Sequence, residues 1–73
     1  MGLYENVKEA CSRKGISIMA LENRLEFPRS SISKWNENIP SIAKVKDVAE
    51  ALDVSIDVLT KDVVFPKRGD KHA

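Results

Sequence analysis

Arg29, Ser30, Ser33 and Lys34 place two cations and two hydroxyls within six residues. The arginine has a rigid donor fork that matches the O6 and N7 acceptors of guanine. Ser30 can donate or accept at a base edge, and Lys34 can reach either a guanine or a phosphate. Ser31, between them, suits a backbone phosphate or the amides of its own helix. This is the chemistry of hydrogen-bonded recognition, with no bond made or broken.

Bond-making chemistry finds no comparable cluster. Cys11 and His72 are the only residues of their kinds and lie in different regions. No paired carboxylates stand beside a predicted apolar pocket. Gly2, Gly15 and Gly69 are too far apart for a phosphate-cradling loop, and no group supplies four metal ligands. The expectation is a non-enzyme without a cofactor. Cys11 reads as a small core hydrophobe, and His72 as an unconstrained tail residue.

The elements that must present the four polar residues follow from apolar spacing. Ile18, Leu21 and Leu25 form one stripe of a second helix, with Ser17 ahead of it as N-cap. Glu26-Phe27-Pro28 interrupts the pattern, because proline lacks the amide for a continuing helix but suits its first position. The spacing predicts a third helix from Arg29 to Trp35, with Ile32 and Trp35 inward and the polar residues outward. Such a helix is shaped to enter a groove.

The remaining chain frames that pair. Leu3, Val7, Ala10 and Cys11 predict a first helix over Leu3 to Lys14, closed by Gly15 at its C′ position, with Ile16 dropping into the core. Asn36 to Pro40 reads as a loop in which Asn38 takes a left-handed backbone conformation. Ser41 caps a fourth helix, Ile42 to Leu52, that buries Ile42, Val45, Val48, Ala49 and Leu52. Ser55 caps a short fifth helix, Ile56 to Thr60, whose Val58 and Leu59 close the core.

With 73 residues, 42% apolar and 32% charged, the chain has room for one folded domain near the lower limit of a self-sufficient core. That domain is expected over residues 1–60, with 61–73 as a tail or the start of a linker to a further effector domain. A single cysteine excludes an intrachain disulfide, and the absence of a signal-like or membrane-length apolar run predicts a cytoplasmic chain. A net charge of +1 does not by itself announce a nucleic-acid binder. Its placement matters more: Arg24, Arg29 and Lys34 fall in the central stretch, while Glu5, Glu9, Asp47, Glu50, Asp53 and Asp57 lie outside it.

Lys14-Gly15-Ile16-Ser17, the helix pair from Leu21 to Trp35, and the ending Val48-Ala49-Glu50-Ala51-Leu52-Asp53-Val54-Ser55-Ile56-Asp57-Val58-Leu59 resemble the lambda-type phage repressor and Cro family of helix-turn-helix domains. The similarity covers residues 3 to 60. It implies an all-α, compact five-helix fold and a homodimer that binds double-stranded DNA at palindromic operators, usually to repress transcription. The family's base-reading positions fall on Arg29, Ser30 and Lys34, with Ser33 contributing. Its backbone contacts fall near Asn36, Asn38 and Ser41, joined by Ser31 and the helix start behind Ser17.

Three departures stand out. Ile18 occupies the family's phosphate-binding position, where relatives carry Gln. Glu26 replaces the tight-turn glycine, and Glu22 replaces a small residue between helices two and three. The two carboxylates either widen the helix pair or weaken binding by lying near the DNA backbone. A protein-interaction module that keeps the fold with weak or no DNA binding, antitoxin-like or an accessory factor, therefore stays open. Val54, Ile56, Val58 and Val63-Val64-Phe65 are the candidate dimer surface.

Overall fold

The first helix begins and ends where its sequence changes character. In a computed structural model that describes residues 2–63, α1 spans Leu3–Lys14 and turns Leu3, Val7, Ala10 and Cys11 inward. After it come α2 at Ile18–Leu25, a single 3-10 turn at Ile32–Lys34, α3 at Ile42–Leu52 and α4 at Ile56–Thr60. Among the described residues there is no strand, and no helix is long and apolar enough to cross a membrane. The domain is all-α, with α1 packed against α2, α3, α4 and the 3-10 turn.

Three helices end in the same way. The amides of Gly15, Glu26 and Asp53 bond back to the Ser12, Asn23 and Glu50 carbonyls, and the next amides, of Ile16, Phe27 and Val54, reach Cys11, Glu22 and Ala49. This paired closure needs a left-handed residue, found at Gly15 (φ 84°), Glu26 (φ 61°) and Asp53 (φ 58°). The residue after each is apolar, and Ile16, Phe27 and Val54 all pack on the core. Serines open the helices: Ser17, Ser41 and Ser55 accept from the amides of Ala20, Lys44 and Val58 at 3.0, 3.4 and 3.4 Å. Each such cap is worth about 1 kcal/mol.

Leu3, Val7, Leu21, Ile32, Val45, Val48, Leu52 and Leu59 form the sealed centre, joined by Ala10, Cys11, Ala49 and Trp35. Burying one large aliphatic side chain contributes about 1.5–3 kcal/mol. Cys11 takes the core place expected of it, and burial pushes its thiol pKa up. Asn6 fastens the far end: its amide group donates to the Leu59 carbonyl at 2.8 Å and the Lys61 carbonyl at 2.9 Å. Those carbonyls lie in the last turn of α4 and at the residue just past it, where intrahelical partners run out.

Four expectations are corrected. The helix foreseen from Arg29 to Trp35 is a 3-10 turn of three residues, so the domain has four α-helices and not five. Ser30 sits at φ 64°, off the right-handed path, and a helix cannot run through it. Asn38 is not among the left-handed residues; its amide donates to the Lys34 carbonyl at 2.7 Å and prolongs the turn. Ile42 is 64% exposed, because side chains lean toward a helix's N-terminus and a first-turn residue overhangs its end. Val58 is 48% exposed: Ile56 and Leu59, three apart, share the inward face of α4, and Val58 lies about 100° round from Leu59.

Candidate nucleic-acid interface

The polar stretch is held from beneath by Ile32, fully buried, and Trp35, 4% exposed. Between those anchors Ser33 and Lys34 are exposed, as are Arg29 and Ser30 just before them. The expected inward and outward division therefore survives although the helix does not. The Phe27 ring packs against Trp35 with centroids 6.1 Å apart. Lys44, from the first turn of α3, lies with its ammonium 5.8 Å from the Phe27 centroid.

Arg29, Ser30 and Ser33 line one open concavity of about 460 Å³ together with Ile18, Met19 and Glu22. Lys34 lies outside that lining. Among the described residues the ion pair formed is Arg13 with Glu9 along α1, and neither Arg29 nor Lys34 takes part in one. Their charges are thus available to an anion. Ser33 donates its hydroxyl proton to the Ser30 carbonyl at 2.8 Å, which leaves it only acceptor capacity.

The residues expected on a phosphate backbone are scattered. Ser17 and Ser41 are exposed but already cap α2 and α3. Ser31 does not fit that role: its hydroxyl oxygen is buried and has no hydrogen-bond partner among the described residues. Asn38 is exposed. Asn36 is exposed but engaged by the start of α1: its side-chain oxygen accepts the Tyr4 amide at 3.0 Å and its NH₂ donates to Glu5 at 2.9 Å. That bond, chiefly, holds the Glu5 carboxyl below its ordinary pKa. Asn36 ties the loop after Trp35 to the start of α1, and it fills the space that a side chain at Gly2 would need.

Sequence reasoning missed the part played by Glu22. Its side chain is 3% exposed, and its two oxygens accept the Ser30 amide at 3.0 Å and the Ile32 amide at 3.1 Å. The carboxylate points into the protein and caps the 3-10 turn from a neighbouring helix, where an anion suits the unpaired amides. One signal was available: a charged residue directly after Leu21, on the inward side of a helix, requires a partner. Met19, 54% exposed beside the concavity, was likewise unmarked. Set against protein-family models, curated proteins and solved structures, the chain finds no match.

Proposed function

We propose that this chain is a sequence-specific double-stranded DNA-binding domain of the lambda-type repressor and Cro kind. In this reading it works in the cytoplasm as a homodimer on a palindromic operator and represses transcription. The observation that carries the reading is the exposure of Arg29 and Lys34, neither in an ion pair among the described residues, on a segment pinned by Ile32 and Trp35. Arg29 would grip a guanine through two bonds, and Ser30 would meet a neighbouring base edge. Ser33, left with acceptor capacity, suits the amino group of adenine or cytosine. Lys34, outside the concavity, serves a guanine or a phosphate.

Asn38 and the amide-rich starts of α2 and α3, behind Ser17 and Ser41, would meet phosphates, whereas the Ser31 hydroxyl is buried and does not reach them. Asn36 is committed to α1 and is not needed there. Two copies joined through the α3–α4 corner, where Val58 is exposed, would set half-sites about 34 Å apart, one helical turn.

Selection from a randomised duplex pool tests the reading. An enriched motif with two half-sites at that spacing supports it, and a pool that stays random at low salt removes it. One observation favours a protein-interaction module instead: the presenting element is a single 3-10 turn, shorter than a helix that fills a major groove. Salt-dependent binding to random duplex would still mark a DNA binder, whereas no binding to duplex even at low salt would favour that second reading.

A further inference from the structure

We infer that Glu22 is a positioning residue for base recognition: from α2 it grips the Ser30 and Ile32 amides and so fixes where Arg29 leaves the backbone. This rests on the DNA-binding reading above. The carboxylate is buried on the floor of the concavity lined by Ile18, Met19, Arg29, Ser30 and Ser33. A buried carboxylate without partners is strongly unfavourable, so its two bonds to the segment are bonds it cannot lightly lose.

Besides Glu22, the entry of the segment is held by the Ser33 hydroxyl bond to the Ser30 carbonyl and by the buried Ile32, and neither of these engages the Ser30 amide. Pro28 supplies no amide of its own, and the Ser31 hydroxyl caps nothing. The Ser31 amide reaches only the Pro28 carbonyl, at 3.1 Å. Ser30 meanwhile holds a left-handed conformation that a serine adopts at a cost. A residue in that state relaxes unless its surroundings over-determine it, and the Glu22 bond to its amide does so. With Ser30 held, Arg29 has a defined point of departure, and less freedom is lost when it meets a base.

The test compares the parent chain with Glu22→Gln and Glu22→Ala in two measurements. The first is amide hydrogen exchange. Faster exchange at Ser30 and Ile32, with α1 and α3 still protected, supports the grip, and unchanged exchange overturns it. The second is the ratio of affinities for the selected duplex and a random one, read where circular dichroism shows each variant fully folded. A merely structural role lowers both affinities together and leaves the ratio alone. The positioning role lowers the ratio by about 10- to 100-fold, the loss of one recognised base pair. An unchanged ratio overturns the inference even if binding weakens. Failure of both variants to fold also overturns it, since Glu22 would then hold the domain and not the segment. If the parent selects no duplex, the DNA-binding reading falls, and the exchange measurement still decides whether Glu22 governs the segment.

Discussion

The rings of Phe27 and Trp35 meet at 6.1 Å and 51°, joining the corner after α2 to the end of the 3-10 turn. Tilted aromatic pairs of this kind contribute about 0.5–1.5 kcal/mol beyond the area they bury. Trp35→Ala would remove both that contact and the buried anchor, at about 3–5 kcal/mol. In so small a domain most of the stability would go. Trp35→Phe should be the milder change. Urea unfolding of both variants checks the order, and an equal midpoint for the two would contradict this account of the anchor.

Glu26 closes α2 at φ 61°, a conformation that glycine enters without strain. Glu26→Gly should raise stability by about 0.5–1 kcal/mol, the left-handed penalty less the entropy that glycine adds to the unfolded chain. Thermal or urea unfolding reads the sign directly. A lower midpoint would mean that the Glu26 side chain makes a contribution larger than its backbone strain.

Asn36→Ala should release Glu5, whose carboxyl is held low first of all by the Asn36 hydrogen bond. Because the folded-state pKa lies below the unfolded one, this contribution is present above the unfolded value and fades as pH falls through the folded one. The variant's stability should therefore depend less on pH in the acid range below 4.5. Carbon-detected NMR titration of Glu5 gives the shift itself, with a move upward in the variant as the expected result.

Arg29→Ala should cost roughly 1–3 kcal/mol and relax preference at one base pair of a selected site. Lys34→Ala separates two roles. Loss of preference at one position makes it a base contact, whereas uniform loss with a salt slope shallower by about 1 makes it a phosphate contact. Fluorescence anisotropy over a salt series, on matched and mismatched duplexes, distinguishes them. Full retention of preference in Arg29→Ala would move the reading face elsewhere.

Cys11 is 2% exposed among Leu3, Val7 and their neighbours, and burial raises its thiol pKa. Since the thiolate is the reactive form, the folded protein should resist alkylation at neutral pH and react once unfolded in urea. Fast labelling without denaturant would show that α1 opens readily from the core.

Apolar spacing and capping residues were enough to delimit α1, α2, α3 and α4, because these are short-range properties: a stripe at three and four, a serine ahead of α2, α3 and α4, and Gly15 behind α1. They also marked Ile32 and Trp35 as inward and Arg29, Ser30, Ser33 and Lys34 as outward. Val64, Phe65 and His72 lie outside the described residues. What the linear order did not reveal was the path between Pro28 and Trp35. There a left-handed Ser30 replaces a helical turn, and the acceptor that holds it comes from Glu22, eight residues back on another element. The commitment of Asn36 to Tyr4 and Glu5 was hidden for the same reason. Local pattern decides where a helix can form; which distant polar group satisfies an unpaired amide is decided only once the chain has packed.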